Sequence, residues 1–420
     1  MSIRTPLRYF RAVCLCLSFA PLSMAQQSLT WPQIVDRFHA HNPTLSAGRL
    51  NVDESRALEI TAGHRPNPDL TASLDQLNPF TLSPFRPLTS ALPLVSANYL
   101  HERQHKRELR LQSARQATAI AGSQQDDLER TLLFNLRTAF VQTLQQKAVL
   151  ALAHENLAYY DKVLAVSRDR FQAGDIARVD LERLELQRLQ YQSDVQTAEV
   201  NLRTAKIQML TLLDDRTAVT QFDIDGQFDF SVPVTSLEEA RRMALDARPD
   251  LKAALQAIEK ARTDHRLAFA NGSADPTFAV DVGHNTPPLS AYFGVSVSIP
   301  LRVFERNQGE KLRTEIDIRR SERLREANQA QVFGDVDSAY ATVNSSVTLL
   351  QPYKTQYLQQ AQHVREIVSF AYQHGGVSLL DFLNAQNDYR SIQLNYLNLV
   401  GSYLNAANQL NLAVGREVLP

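Results

Sequence analysis

The chain has 420 residues, 44% of them hydrophobic and 21% charged, with 44 basic against 45 acidic side chains. The apolar share suffices for a packed core, and the near-neutral charge argues against nucleic acid as a partner. Both cysteines, Cys14 and Cys16, lie within the first 25 residues, so the rest of the chain has no disulfide framework and no thiolate metal site.

Residues 1–25 read as an export signal. Arg4, Arg8 and Arg11 precede a short apolar run, Ala12 to Ala20, and Ser23-Met24-Ala25 ends in a small-x-small cleavage pattern. The run is too short for a membrane helix, which needs about 20 apolar residues. Neither cysteine follows a Leu-small-small stretch near the cleavage point, so N-terminal lipidation is not expected. No later stretch reaches 18 apolar residues, so entry into a membrane would require a closed β-barrel.

The first repeat spans 26–213. A helix is expected from Pro43 to about Gly63, then a β-hairpin over about 66–102, a long helix over about 103–172 and a return helix over about 176–213. No proline occurs between Pro93 and Pro233, and Leu, Ala, Gln, Arg and Glu dominate that stretch. Leu150, Ala153, Leu157, Tyr160 and Leu164 step by threes and fours, as do Tyr191, Val195, Ala198, Leu202, Ala205, Met209 and Leu212. Sustained heptads predict a left-handed coiled-coil seam. The long helix would reach roughly 100 Å at 1.5 Å per residue, and the two shorter ones stacked end to end would match it. Residues 214–235 form a linker in which Phe222 to Phe228 suggests a small strand pair.

The second repeat spans 236–415, with a five-residue tail after it. Helices are expected over about 249–271, 308–373 and 377–414, with Pro352 kinking the middle one locally. The last carries the heptad Tyr389, Ile392, Tyr396, Leu399, Tyr403, Ala406, Leu410 and Ala413. A second β-hairpin falls at about 276–302. Leu70, Ala72 and Leu74, then Val95, Ala97 and Tyr99, then Phe278, Val280 and Val282, then Val295, Val297 and Ile299 each alternate with mostly polar or small residues. That period suits membrane strands, and an ordinary two-layer soluble sheet is the alternative.

The halves repeat one another. Phe171-Gln172-Ala173-Gly174-Asp175-Ile176-Ala177-Arg178-Val179-Asp180 returns as Tyr372-Gln373-His374-Gly375-Gly376-Val377-Ser378-Leu379-Leu380-Asp381, and Asn42-Pro43-Thr44-Leu45 returns as Arg248-Pro249-Asp250-Leu251. A period near 200 residues is a duplicated half-molecule, since solenoid units run roughly 20–50. Four strands cannot close a barrel, whose smallest common form has about eight, so membrane hairpins of this kind require several copies.

This duplicated helix–hairpin–helix plan resembles the TolC-like outer membrane efflux factor family over essentially the whole mature chain. Tyr372 to Gln386 is similar to the family's tip-turn motif, and Arg248-Pro249-Asp250-Leu251 to the opening of its second half. Val295 to Leu301 followed by Phe304-Glu305-Arg306-Asn307-Gln308-Gly309 looks like the strand-to-helix junction of its heavy-metal (cobalt–zinc–cadmium) branch. The resemblance implies a mainly α protein with membrane β: coiled-coil helical hairpins forming a periplasmic α-barrel, and four strands per chain in a 12-stranded β-barrel of a homotrimer. It implies the outer membrane as location, outer membrane lipid as surroundings, and a periplasmic adaptor (membrane fusion protein) and an inner-membrane pump of the RND type as partners.

No catalytic constellation stands out, no cofactor is expected, and Met209 and Met243 are the only methionines beyond the signal. His101 and His105 at i, i+4 suit either a metal or a solvated helix face. Asp381, Asn384 and Asp388 share one helix face past Gly375-Gly376, and Asp180 is the repeat mate of Asp381. The resemblance implies an acidic ring that narrows a pore there, with Asn384 standing where the family can carry a second acid. A solvated acidic helix start is the plainer alternative. Gly174, Gly375 and Gly376 are expected in helix-stopping turns, and the resemblance adds adaptor contact to them. The function expected is a passive exit duct of a tripartite efflux system, for heavy-metal cations or for drugs and other small molecules. A non-transporting periplasmic coiled-coil scaffold and a self-contained porin are the competing readings.

Overall fold

A computed structural model describes residues 28–77, 80, 84, 91–232, 235–284 and 290–419. The export signal and most of both hairpin tips lie outside the described residues.

Nine α-helices and four strands are found among these residues: α1 (Trp31–His41), α2 (Pro43–Gly63), β1 (Asp69–Asp75), β2 (Leu92–Leu100), α3 (Lys106–Gln172), α4 (Arg178–Leu212), α5 (Leu237–Ala247), α6 (Pro249–Asn271), β3 (Thr277–Gly283), β4 (Tyr292–Ser298), α7 (Gln308–Pro352), α8 (Leu358–Gln373) and α9 (Leu379–Val414). Pro43 and Pro249 open α2 and α6, where a missing N–H costs nothing and φ is already helical. After Pro352, Tyr353–Tyr357 form a π-turn, so the expected kink is a local widening that α8 continues. The short helices α1 and α5 were not expected.

The strands form one antiparallel sheet in the order β1-β2-β3-β4. The register puts Leu70, Ala72, Val95, Ala97, Phe278, Val280, Val282 and Val295 on one face. Thr71, Ser73, Ser96, Asn98, Asp281 and Ser296 lie on the other. The apolar face is exposed, with Leu70, Val95, Phe278, Val280 and Val295 all open. A soluble two-layer sheet would cover that face, and no helix among the described residues packs on it.

The helices follow the same lateral order. α3 packs on α2 and α6 near the sheet, and on α4 and α9 further away, while α7 packs on α6 and α9, and α8 on α9. The chain is therefore a panel of four staves: β1 with α2 and α4, β2 with α3, β3 with α6 and α9, β4 with α7 and α8. The α2–α4 and α6–α9 staves are each spliced at mid-length by the residue before a proline. Asn42 Nδ2 donates to Leu212 O at 3.0 Å while its Oδ1 caps α2 by accepting from Leu45 N. In the other half, Arg248 Nη1 donates to Ala413 O at 3.3 Å and pairs with Asp250 and Asp335. The repeat thus conserves one joint with two chemistries.

The heptad residues pack as expected: Tyr160, Leu164, Tyr191, Val195, Ala198, Met209, Tyr389, Tyr403 and Leu410 are buried. Each such burial contributes roughly 1.5–3 kcal/mol for a large side chain. Two clusters surround the splices, one around Phe38, Leu45, Phe140 and Met209, the other around Val336, Val343, Tyr403 and Leu410. The expected strand pair within 222–228 does not form. Ile224 instead makes a single parallel bridge to Leu29, and Phe222 is buried in the first cluster. The reason is burial: Phe222 and Ile224 go to the helical core, and Leu29 supplies the ladder partner.

Candidate functional site

The end of the panel remote from the sheet carries both helical turns. Gly174 has φ +85° and Gly375 φ +76°, and neither would bring a Cβ near another atom. At each, the following N–H reaches back to the third-last helical carbonyl: Asp175 to Arg170 O at 2.9 Å, Gly376 to Ala371 O at 2.7 Å. These are matched Schellman stops, in which a left-handed residue lets the last carbonyls find donors. Gly376 is not at positive φ, so only Gly375 of the pair meets the expected backbone requirement.

Past the second turn, Asp381 Oδ2 accepts from Ser378 N at 3.2 Å and from Ser378 Oγ at 2.6 Å, while Asp381 N donates to Ser378 Oγ. This reciprocal capping box fixes the start of α9 and leaves Oδ1 open. Asp381, Asn384 and Asp388 are all exposed along one face of α9. Asp180 occupies the first turn of α4, where Ala177 provides no side-chain cap. Asp180 is half-buried and felt by Tyr372 of the other hairpin. Burial raises the Tyr372 hydroxyl above its ordinary value, Ser167 and Arg170 oppose that, and Asp180 adds to it.

The two hairpins meet through an aromatic cluster of Tyr160, Tyr191, Tyr372 and Phe382. Tyr372 stacks on Phe382 with centroids 4.8 Å apart, and Tyr160 on Tyr191 at 4.6 Å. Arg170 Nη1 donates to Tyr372 O at 2.8 Å, tying the first turn to the second. Arg365 of α8, only 7% exposed, lies 3.7 Å from the Tyr389 ring centre and 4.4 Å from that of Tyr159. A desolvated cation between two aromatic faces gains about 2 kcal/mol or more. Arg170 and Arg365 escaped the sequence reading, although Arg365 occupies a seam position between Ala361 and Val368 where an apolar residue would be ordinary.

The histidine pair is a correction. His101 precedes the helix and sits edge-on to Phe278, and His105 is the left-handed residue before α3, at φ +55°. The i, i+4 face required for joint metal binding is therefore absent. No group of three His, Cys, Asp or Glu able to hold a metal occurs among the described residues.

The geometry defines a class: a four-stave panel whose sheet has an apolar and a polar face. Residues 240–416 match the family of outer membrane efflux proteins. The cobalt-zinc-cadmium resistance protein CzcC of Cupriavidus metallidurans is 23% identical over 385 residues, covering 89% of this chain and 87% of that protein. Crystal structures of CusC superpose with a TM-score of 0.77 at 19% identity, over 93% of this chain and 95% of that one. The outer-membrane channel OprN gives 0.76 at 15% identity, over 93% and 90%. The second half of the chain thus matches the outer membrane efflux protein family, and the chain as a whole has the fold of CusC and OprN.

Proposed function

We propose that this protein is the outer membrane exit duct of a tripartite efflux system, a homotrimer that passes heavy-metal cations from periplasm to exterior. The observation that carries the reading is the matching of its edges. β1 and β4 are both unpaired on one side, and the helices beneath them end the panel in the same order. α4 presents Val179, Leu186, Val200 and Ile207 at heptad spacing, opposite its buried Tyr191, Val195 and Ala198. α7 and α8 present Leu312, Ile316, Ile367 and Phe370 on the other margin. A head-to-tail contact between unlike edges closes into a ring. Three panels give twelve strands and twelve staves, with the polar sheet face lining a wet lumen and the apolar face meeting outer membrane lipid.

In that ring the two tip turns point into the periplasm, where Gly174, Gly375 and Gly376 meet a periplasmic adaptor that links the duct to an inner-membrane pump of the RND type. Asp381, Asn384 and Asp388, with Asp180 beside them, line the narrowed end and favour cations. The capping box is compatible with this role, because Asp381 Oδ1 stays open. CzcC, named for cobalt, zinc and cadmium resistance, supports the metal cargo. A drug or small-molecule cargo is the second reading, and OprN and CusC share the fold without deciding between them.

The test is a chromosomal deletion in the source cell. Sensitivity to cobalt, zinc and cadmium is expected to rise and to be restored by the intact gene. Unchanged metal tolerance with raised sensitivity to organic toxicants would overturn the metal cargo and leave the duct. Unchanged tolerance to both would contradict the duct itself.

A further inference from the structure

The segment between β4 and α7 has no assigned role in the duct, yet it is closely built. Val303 N donates to Leu301 O at 3.0 Å, Arg306 N to Gln308 Oε1 at 2.8 Å, and Gln308 Nε2 to Phe304 O at 3.2 Å. Asn307 N donates to Glu305, and Asn307 Nδ2 ties the segment to Ala268 O at 2.7 Å. A loop with so many internal hydrogen bonds holds one shape. What that shape displays is apolar: Leu301 is 84% exposed and Phe304 91%.

Two features indicate what covers these side chains. First, the exposed odd-numbered residues of β4, Val295 and Val297, continue without a break through Ile299, Leu301 and Val303. The run of exposed apolar side chains therefore extends past the last paired residue, Ser298. Second, this rim is ringed by guanidinium groups. Arg65 lies just before β1, Arg103 just after β2, and Arg302 and Arg306 just after β4, so strand polarity puts all four at one end of the sheet. No ion pair of their guanidinium groups with a carboxylate occurs among the described residues; Arg103 meets Asp275 through its backbone N–H at 2.9 Å, and Arg306 Nε donates to Arg302 O at 3.2 Å. Apolar side chains beside arginines that lack a counter-carboxylate suit the boundary between acyl chains and phosphate headgroups.

We infer that the 299–307 loop is a membrane-interface anchor, in which Leu301 and Phe304 enter the periplasm-facing leaflet and Arg302 and Arg306 bind phospholipid phosphate, anionic lipid above all. The inference rests on the barrel reading above. It gives the duct a fixed depth in the bilayer through its own side chains.

Tryptophan fluorescence in bilayers tests it. Trp31 is the chain's single tryptophan, so Trp31→Phe gives a silent background. Phe304→Trp, Leu301→Trp and Val295→Trp are each added to it, and the full-length protein is reconstituted into vesicles. With lipid brominated near the carbonyl end of the acyl chain, the Phe304→Trp and Leu301→Trp proteins should each lose about half their emission. The Val295→Trp protein, a reporter of the barrel, should be quenched by lipid brominated deeper in the chain. Quenching at Val295→Trp with none at the two loop variants overturns the anchor and leaves the barrel. Quenching at none overturns both. Blue-shifted loop emission without quenching seats the loop on a neighbouring copy and overturns the anchor. Brominated phosphatidylglycerol, as a minority lipid in phosphatidylcholine, should quench the Phe304→Trp protein more than brominated phosphatidylcholine at the same fraction. Arg302→Gln with Arg306→Gln should abolish that preference, and equal quenching in the parent overturns the phosphate contact.

Discussion

Gly375 and Gly376 are neighbours with different obligations. Gly375 holds φ +76°, so Gly375→Val forces a side chain into the left-handed region at a cost of roughly 1 kcal/mol or more. Gly376 lies outside that region, and a Cβ there would approach Ala371 O at 3.4 Å, a contact that a small shift accommodates. The Gly375→Val protein should insert normally but lose export, and Gly376→Ala should keep most of it. Equal export by both, at matched protein levels, would remove the turn from the mechanism. Asp381 offers a second residue-scale prediction. Asn at 381 retains an oxygen to accept from Ser378 N, so α9 keeps its start while the proposed ring loses its charge. Three carboxylates near a threefold axis repel and attract cations. Asp381→Asn should lower cation selectivity and weaken block by a hexa-ammine cation in planar-bilayer recordings. Unaltered selectivity and block would make Asp381 a capping residue alone.

At the scale of elements, the joints between stacked helices decide whether each broken stave behaves as one. Arg248 spans the α6–α9 joint, and its partners Asp250 and Asp335 keep the guanidinium above its ordinary value against the pull of burial. Burial alone would raise the Asp250 carboxyl, but Arg248 outweighs it and the group sits below its ordinary value. A lowered carboxylate stabilises the fold fully above its unfolded value, and that contribution is lost as pH falls through the folded one. Thermal stability should therefore hold above about pH 5 and decline in acid below about pH 4. Asp250→Asn should flatten that decline, and an unchanged acid profile in the variant would contradict the linkage. Arg248→Ala, which strands Asp335 and Asp250, should be much the more damaging, by roughly 3–5 kcal/mol. Element identity was largely legible because its causes are local. Pro43 and Pro249 announced their helices, and period-two runs announced the strands. The pairing of β2 with β3 was not legible, since it joins segments about 180 residues apart through backbone groups that carry no sequence mark. The same applies to Leu29 and Ile224. The misread histidines failed on backbone conformation: Gln104 and His105 take positive φ, which neither side chain signals. Asp381 was legible as an acidic helix start but not as one half of a capping box, although Ser378 three residues earlier carries that pattern.

On the proposed reading the whole molecule is incomplete as one chain. Among the described residues its sheet has two open edges and its apolar face meets no helix. Each unpaired backbone group in hydrocarbon costs several kcal/mol, so a membrane-inserted monomer would bear that cost along both β1 and β4. The helical edges tell the same story with side chains, through the Val179, Leu186, Val200 and Ile207 stripe. The mass of the detergent-purified protein, taken with its circular dichroism, tests the closed ring most directly. The account predicts a single species of three chains that keeps its strand signal and dissociates in sodium dodecyl sulfate. A monodisperse monomer with the strand signal intact would contradict it.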